Sequence, residues 1–135
     1  MAELKISAVN LGGTATAKVY GDDVDDAVTW ASTNRPSQIT KTSASADVSI
    51  SSTGVHTVDV TSIIQEIVNR PGWSSNNNLR LAGLSTIFSG SNIAIIEAYE
   101  KSSPTVGPAV LEVTFGEAVV EETAEQPAVF FGSVF

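Results

Sequence analysis

The fold is decided by the stretch Val58-Asp-Val-Thr-Ser-Ile-Ile-Gln-Glu-Ile-Val-Asn-Arg-Pro-Gly-Trp73, which has the hydrophobic spacing of an amphipathic helix. Its apolar residues recur at i, i+3, i+4, i+7 and i+8 and so form a single stripe: Val60, Ile63, Ile64, Ile67 and Val68. Pro71 ends the helix, because proline disfavours the α conformation in the residue before it, and Gly72 then allows a free turn. We predict a short helix near residues 61–69 whose stripe is buried.

The start of this helix has several candidate caps. Ser62, followed three residues later by Gln65, fits a capping box, in which the two side chains bond free backbone N–H groups at the helix start. Asp59 and Thr61 are alternative caps. A helix of about two to three turns is unstable alone in water, so packing against strands must hold it.

Residues on both sides of the helix alternate between apolar and polar types, which predicts β-strands. The predicted strands are residues 3–9, 14–20, 46–51, 55–60, 79–84, 93–99 and 109–115. Turn-forming Gly, Ser and Asn residues separate them, and residues 10–13 predict a hairpin between the first two. Short strands at this spacing favour an all-β fold, an antiparallel β-sandwich over residues 1–115.

Two aromatic residues are expected in the core of this domain. Trp30 is the large aromatic side chain of the early part of the chain, ahead of a polar stretch, residues 31–46, that predicts a long loop, either alone or with one edge strand. Phe115 is expected to face inward from the last strand, together with Leu111 and Val113, because the three residues share one face of an alternating segment.

The C-terminal extension, residues 116–135, differs in composition from the rest. Residues 116–126 form an acidic linker with four glutamates and no basic residue, which is half of the net charge of −8. The chain then ends in a phenylalanine-rich tail, whose large apolar residues are candidates for partner binding: Val129, Phe130, Phe131, Val134 and Phe135. Apolar groups of this size either fold back on their own domain or dock on a neighbouring subunit.

Charge and composition exclude several classes of function. The net charge of −8 argues against binding nucleic acid or an anionic membrane surface, because both attract basic patches. The chain has no cysteine, so it has neither disulfide bonds nor a cysteine zinc site. No apolar run reaches about 18 residues, and the first ten residues lack the basic and apolar regions of a signal peptide. We therefore expect no membrane span and no export.

The best candidate metal site is a group of four aspartates in five positions: Asp22, Asp23, Asp25 and Asp26. Clustered carboxylates suit calcium, but their spacing does not match an EF-hand loop. The alternative, a solvated acidic turn, is favoured, so we expect no cofactor. His56 is the only histidine, and without a Gly-x-Ser-x-Gly motif we expect it to have a surface or packing role rather than a catalytic one. We expect Glu66 to lie on the exposed face of the helix.

A second candidate site is a carbohydrate-binding loop after the helix. An aromatic ring can stack on a sugar while amides bind its hydroxyls, and the residues that would do so are Trp73, Asn76, Asn77 and Asn78. The alternative is that Trp73 caps the helix and fills the interior of the sandwich. We favour this packing role.

Three phrases resemble the DNRLRE family of β-sandwich domains: Asp59-Val-Thr-Ser-Ile-Ile-Gln65, Asn78-Leu-Arg-Leu81 and Pro108-Ala-Val-Leu-Glu-Val-Thr-Phe115. Two more are similar to the branch found in bacteriophage-encoded proteins: Gly21-Asp-Asp-Val-Asp-Asp-Ala27 ahead of Trp30, and Gln65-Glu-Ile-Val-Asn-Arg-Pro-Gly-Trp73. The resemblance implies a jelly-roll-like sandwich, used on cell surfaces, in secreted proteins that include polysaccharide binders, and in virus particles. One departure is Ile96-Glu97-Ala98, where many members carry serine, arginine and glutamate.

Together these observations predict a non-enzymatic structural or interaction protein. The function that we favour is a bacteriophage virion component, a capsid decoration or cement protein or a fibre-associated protein, which attaches to neighbouring subunits. A single domain without an export signal fits assembly into a virion in the host cytoplasm. We expect a homo-oligomer, with a trimer preferred because decoration proteins often occupy three-fold positions. The alternative is a carbohydrate-binding module or surface adhesin domain that binds surface glycans.

Overall fold

The computed structural model describes residues 1–31, 33–85, 94–96 and 107–116. These residues contain seven β-strands: β1 Ala2–Leu11, β2 Ala15–Asp22, β3 Lys41–Ile50, β4 Gly54–Asp59, β5 Leu81–Ser85, β6 Ala94–Ile96 and β7 Val110–Val113. They also contain one α-helix, α1, at Thr61–Val68, and a 3-10 turn at Pro36–Gln38. The described part of the chain is therefore mainly β-structure with one short helix, which confirms the predicted class. In these ranges, neither helix has the length and apolar character that crossing a membrane requires.

β1 is the central strand of the first sheet. β4 pairs with one edge of β1, from Glu3 opposite Asp59 to Ala8 opposite Gly54. On the other edge, β7 pairs with the first half of β1 and β6 with the second half. All of these pairings are antiparallel.

β2 is the central strand of the second sheet, with β3 on one edge and β5 on the other, both antiparallel. The predicted hairpin between the first two strands is wrong, because β1 and β2 lie in different sheets. Other strands occupy both edges of β1 and both edges of β2, so the two have no edges left with which to pair. The turn through Gly13, which has a φ of 140°, therefore connects one sheet to the other.

One hydrophobic core holds residues of both sheets and of the helix. Its buried members are Ala2, Ala8, Val19, Val48, Ile50, Val58, Val60, Ile63, Ile64 and Ile67. The predicted helical stripe is confirmed, since Ile63 and Ile67 are 1% and 0% exposed and Val68 packs against the core. Burial of each isoleucine stabilises the fold by roughly 1.5–3 kcal/mol, which supplies the packing that a helix of eight residues needs.

Gly21 on β2 lets the helix approach the second sheet closely. A Cβ atom at this position would lie 2.6 Å from Cδ1 of Ile67 and 2.8 Å from Cγ2 of Ile63. The N–H of Gly21 donates to the hydroxyl of Thr42 at 3.0 Å, and this hydroxyl donates to the carbonyl of Ala44 at 2.8 Å. The absence of a side chain at Gly21 is therefore required for the contact between helix and sheet.

The start of the helix is held differently from the predicted capping box. Val60 is the N-cap residue, and its side chain makes no capping hydrogen bond. Gln65 does not reach back to the helix start, because its Nε2 donates to Oδ1 of Asn69 at 2.7 Å. The alternative cap forms instead: Oδ1 of Asp59 accepts the N–H of Thr61 at 2.9 Å. Hydrogen bonding by the side chain and the N–H of Thr61 lowers the pKa of Asp59.

Both aromatic residues that were expected in the core lie at the surface. Trp30 is 39% exposed and Phe115 is 84% exposed. β7 ends at Val113, opposite Ala2 near the start of the chain, so Phe115 extends past the end of the sheet. Leu111 and Val113 do pack against the core, as predicted.

Candidate functional site

Two arginines that follow the helix, Arg70 and Arg80, bind the aspartate turn, residues 22–26. Arg70 donates from Nε to Oδ1 of Asp25 at 2.7 Å, and from Nη1 to Oδ1 of Asp23. Hydrogen bonds to Asp25 and Asp23 raise the pKa of Arg70, so this guanidinium stays charged. The turn between β2 and the following loop is thereby tied to the end of the helix.

Asp22 and Arg80 form the more buried of these pairs. Asp22 is 3% exposed, and the side chain of Arg80 is 12% exposed. Arg80 donates to Oδ2 of Asp22 from Nη2 and from Nε, the latter at 3.1 Å, while the N–H of Thr40 donates to Oδ1 at 3.1 Å. The N–H of Asp22 also donates to the carbonyl of Arg80 at 3.0 Å. Because removing either partner would leave a buried charge alone, this pair fixes the local geometry.

These contacts change the interpretation of the aspartate turn. Asp26, the fourth aspartate, accepts the N–H of Asn78 at 2.7 Å and its Nδ2 at 3.1 Å. The prediction of a solvated turn is wrong for Asp22, because Arg80 and Thr40 provide donors that allow its burial. Within the described ranges, no three His, Cys, Asp or Glu residues are grouped so that they could hold a metal ion. The expectation that the turn binds no calcium stays a prediction.

Trp30 lies in an exposed loop that one asparagine holds from both sides. Nδ2 of Asn34 donates to the carbonyl of Thr29 at 2.8 Å, and its Oδ1 accepts the N–H of Ala31 at 2.6 Å. The N–H of Asn34 also donates to the carbonyl of Ala31 at 3.2 Å. The residues before and after Trp30 are therefore fixed, although the loop faces solvent.

The guanidinium of Arg80 lies over the indole ring of Trp30, 4.3 Å from the ring centroid. A cation in this position is attracted to the face of the ring. Arg80 is held there by Asp22 and by a hydrogen bond of 2.8 Å from Nη1 to the carbonyl of Val28. Trp30 does not belong to the hydrophobic core. A buried ion pair thus places a guanidinium against the ring of an exposed tryptophan.

A cleft of about 290 Å³ opens beside this stack. Two segments line it, residues 27–30 and residues 78–81. They are joined by a hydrogen bond of 3.0 Å from the N–H of Ala27 to the carbonyl of Asn78. The lining combines an aromatic ring, aliphatic side chains, an amide and a guanidinium, a mixture that binds small ligands by stacking and hydrogen bonding.

The residues of the predicted carbohydrate loop are only partly brought together. Trp73 packs against the hydrophobic core and its indole nitrogen is buried, in line with the favoured packing role. Nδ2 of Asn77 donates to the carbonyl of Asp25 at 3.0 Å, so this amide supports the aspartate turn. Asn76 is exposed, and Asn78 is the member of the four that lines the cleft.

His56 and Glu66 both make structural contacts. Nε2 of His56 lies 2.8 Å from the carbonyl oxygen of Ser52, within the turn that leads from β3 to β4. Glu66 accepts the N–H of Ser43 at 2.7 Å and the N–H of Ala44 at 2.8 Å. Glu66 is half-buried rather than fully exposed as expected, because its carboxylate joins the helix to β3.

The pairing of Trp30 with Arg80 was missed in the sequence, because the two residues are fifty positions apart and only the fold brings them together. One feature of the sequence does indicate that Trp30 lies in a loop: it precedes a polar stretch that includes Asn34, and this composition is typical of loops. A tryptophan next to such a stretch is more readily placed at the surface than in a strand.

Compared with known protein families, with curated proteins and with solved structures, the chain matches none of them. The resemblance to DNRLRE domains therefore stays a prediction. The docking residues predicted at the C-terminus lie outside the described residues: Val129, Phe130, Phe131, Val134 and Phe135. Their role stays a prediction as well.

Proposed function

We propose that the chain is a non-enzymatic structural protein of a bacteriophage particle, a capsid decoration or cement protein or a fibre-associated protein. The observation that carries this proposal is the use of its acidic side chains, which bind arginines and amides of their own domain: Asp22, Asp23, Asp25, Asp26 and Glu66. Carboxylates that already accept hydrogen bonds from their own domain stabilise loops and sheets, whereas general acid–base chemistry needs a carboxyl group that bonds to the substrate.

The fold that we propose is an antiparallel sandwich of the jelly-roll-like type. Along the chain, β1 lies in the first sheet, β2 and β3 in the second, β4 in the first, β5 in the second, and β6 and β7 in the first. Repeated crossing between two sheets is typical of sandwiches, in which both inner faces contribute to one core. Among the described residues, the hydrophobic core combines side chains from both sheets, which supports this assignment.

The phrases that resemble DNRLRE domains also have structural roles. In the first phrase, the hydroxyl of Thr61 accepts the N–H of Ala2 at 2.8 Å and so joins the helix start to β1. In the second phrase, Arg80 binds Asp22. In the third phrase, Leu111 lies on β7 and packs against the core. Each phrase thus contributes a contact on which the fold depends, which supports the proposed relationship.

Attachment to neighbouring subunits is the role that we assign to the C-terminal extension. The acidic linker keeps an apolar end in solution until it meets a partner, and negative charge steers it towards a basic surface. A homo-oligomer, with a trimer preferred, belongs to the same proposal, and so does a location in the virion.

The test of this proposal is whether the chain is part of an assembled particle. Phage particles from cells that express the chain are purified on a density gradient, and the chain is quantified in each fraction by mass spectrometry. We expect it to follow the major capsid protein at a constant ratio, whereas a host enzyme, used as the control, stays in the soluble fractions. Recovery of the chain in the soluble fractions alone would contradict the proposal. Light scattering on the purified protein then tests for a mass three times the 14.1 kDa of one chain.

Carbohydrate binding is the second candidate function, and the cleft beside Trp30 is the observation that favours it. This cleft presents an exposed aromatic ring together with an amide and a guanidinium. The site differs from the loop expected from the sequence, because Trp73 packs against the core and only Asn78 of that loop lines the cleft.

A further inference from the structure

Two aromatic rings at the second sheet are each covered by a cation. The guanidinium of Arg80 lies 4.3 Å from the ring centroid of Trp30, and Nζ of Lys41 lies 5.0 Å from that of Tyr20. Asp22 connects the two pairs, because it lies opposite Lys41 in the ladder of β2 and β3 and accepts hydrogen bonds from Arg80. We call these four residues, Tyr20, Trp30, Lys41 and Arg80, the cation–aromatic surface.

The cations of this surface retain hydrogen-bond donors for a ligand. An arginine has five N–H donors, and the bonds from Arg80 to Asp22 and Val28 use three of them within the described residues. One N–H on each Nη nitrogen therefore remains. Lys41 is exposed, and in the described ranges its ammonium makes no ion pair. The other aspartates of the neighbouring turn already have donors of their own.

The outer faces of the two sheets differ in charge. Within the described residues, the outer face of the first sheet carries three carboxylates and one ammonium: Glu3, Asp59, Glu112 and Lys5. The second sheet carries two ion pairs, Lys18 with Asp47 and Arg80 with Asp22. Lys41 adds a positive charge that has no carboxylate partner in the same ranges. An acidic segment is therefore attracted to the second sheet and repelled by the first.

We infer that the cation–aromatic surface and the cleft beside Trp30 bind the C-terminal extension, residues 116–135, of a second copy of the chain. One phenylalanine side chain enters the cleft, and glutamates of the acidic linker face Lys41 and Arg80. The inference rests on the proposed function, which assigns the extension to attachment, and it adds the place on the neighbour to which the extension attaches.

The composition of the extension suits this surface. Its four glutamates precede three phenylalanines along the chain: Phe130, Phe131 and Phe135. Carboxylates accept strong hydrogen bonds from guanidinium and ammonium groups, and an aromatic ring packs well on the indole of Trp30 beside the exposed Val28. The cleft volume of about 290 Å³ is below the roughly 300–1,000 Å³ of pockets for drug-sized ligands, which suits one side chain of a peptide.

The length of the linker allows the extension to reach a neighbour. The extension begins beside the start of the chain, where the N–H of Thr114 donates to the carbonyl of Met1 at 2.8 Å. The ten residues 117–126 span at most roughly 33–36 Å, against about 12 Å for the eight-residue helix. When the extension of each copy docks on the cleft of the next, the contact is head-to-tail, and such contacts close into rings. The preferred trimer is a ring of this kind.

The experiment mixes two full-length variants that are each defective in one half of the contact. Val28→Glu places a carboxylate in the cleft and keeps the tail, whereas Phe130→Ser combined with Phe131→Ser and Phe135→Ser keeps the cleft and removes the rings of the tail. By light scattering over a range of concentrations, we expect wild type to self-associate and each variant alone to associate about tenfold more weakly or less. Mixing the variants should restore a complex of two chains, because the tail of the first docks on the cleft of the second and the contact cannot propagate further.

The matched control is Val55→Glu, the same substitution at a valine on β4 of the first sheet. Val55 is 56% exposed and Val28 is 62% exposed, so the two substitutions disturb the fold equally little. Val55→Glu should associate like wild type. Lys41→Glu keeps the test valid if Val28→Glu fails to fold: it should weaken self-association several-fold and make it less dependent on salt, because an attractive charge is reversed.

Tryptophan fluorescence shows whether the tail binds at the cleft. The emission of wild type should shift as its concentration rises, and this shift should be lost in Trp30→Phe, which leaves Trp73 as the one tryptophan. Four results would overturn the inference. Wild type stays monomeric, whether or not its own tail fills the cleft; the Val28 and Lys41 variants associate like wild type; mixing restores no complex; or a neutral oligosaccharide, and not the tail, shifts the emission of Trp30.

Failure of the inference is distinguishable from failure of the proposed function. If Val28→Glu self-associates like wild type and wild type follows the capsid protein on the density gradient, only the inference fails. If wild type self-associates through the cleft but stays in the soluble fractions, only the proposed particle role fails.

Discussion

Glu66 on α1 accepts a hydrogen bond of 2.7 Å from the backbone N–H of Ser43 on β3. Its other carboxylate oxygen accepts the N–H of Ala44 at 2.8 Å. These two amides lie where the register between β2 and β3 shifts, so the helix supplies the acceptors at an irregular part of the sheet. One side chain therefore connects the helix to the second sheet by polar contacts, in addition to the apolar contacts below it.

Replacing Glu66 by alanine should lower the free energy of unfolding by about 1.5–3 kcal/mol, because two backbone N–H groups lose a charged acceptor. Urea denaturation measures the change. The control is Asp47→Ala, which removes a carboxylate that pairs with Lys18 at 2.7 Å but whose side chain is 82% exposed. The control should cost less than about 1 kcal/mol. Equal effects of the two substitutions would show that Glu66 is only a surface residue.

Gly21→Ala should destabilise the domain by about 1–3 kcal/mol, because the added methyl group overlaps Ile63 and Ile67 in a packed core. Gly83→Ala is the matched control. Gly83 lies opposite Val19 in the same sheet, but a Cβ atom there has no neighbour within 4 Å. We expect the control to change the midpoint of urea denaturation very little. If both variants unfold at the wild-type midpoint, the close approach of helix and sheet at Gly21 is wrong.

Arg80→Met should cost about 3–5 kcal/mol, because it leaves the carboxylate of Asp22 buried without its partner. Arg70→Met is the control: the side chain of Arg70 is more exposed, 29% against 12% for Arg80, and so are the side chains of its aspartate partners. The loss for Arg70→Met should therefore be clearly smaller. Thermal and urea unfolding of both variants measure the difference, and a larger loss for Arg70→Met would contradict the ranking.

Asp59→Asn tests the pH dependence of the helix start. Hydrogen bonding by Thr61 lowers the folded-state pKa of Asp59 below its ordinary value of 3.8. The resulting stabilisation is present above pH 3.8 and is lost as the pH falls through the lower folded-state pKa. Wild type should be more stable than Asp59→Asn at neutral pH, and the gap should close in acid. Urea denaturation at a series of pH values checks this, and a gap that stays constant with pH rules it out.

The local parts of the fold could be predicted from the sequence because their signals are local. The spacing of Ile63, Ile64 and Ile67 identifies a helical stripe, and the structure buries all three. Alternation likewise indicated the strands, since it depends on neighbouring residues only, but it placed the start of β3 at residue 46 whereas the strand begins at Lys41. From Pro71 and Gly72 the helix was predicted to end at residue 69, and in the structure it ends one residue earlier, at Val68.

The pairing of strands and the candidate site could not be predicted in the same way, because both depend on contacts between distant residues. Residues 10–13 look like a hairpin turn, but whether β1 pairs with β2 depends on which other strands compete for their edges. Asp22 looked like part of a solvated turn because nothing near it in the chain shows that Arg80 covers it. Trp30 was placed in the core for its size, although a nearby asparagine holds it in a surface loop.

The last prediction concerns the C-terminal tail, residues 127–135. If its large apolar residues dock on another subunit, each buried aromatic side chain contributes roughly 1.5–3 kcal/mol. Ordering the chain on docking costs roughly 1–2 kcal/mol per residue, so the apolar residues must supply most of the binding free energy. Deleting residues 127–135 should leave the melting temperature of the domain nearly unchanged and abolish assembly or particle binding.

A full-length control separates the effect of these side chains from the effect of length. In it, serine replaces the five apolar residues of the tail: Val129, Phe130, Phe131, Val134 and Phe135. This variant should behave like the deletion: it should melt at the temperature of the wild type and fail to bind particles. The length and the acidic linker are retained in it, and only the apolar surface is lost. Unfolding of either variant would show that the tail completes its own domain, and docking on a neighbour would then be the wrong interpretation.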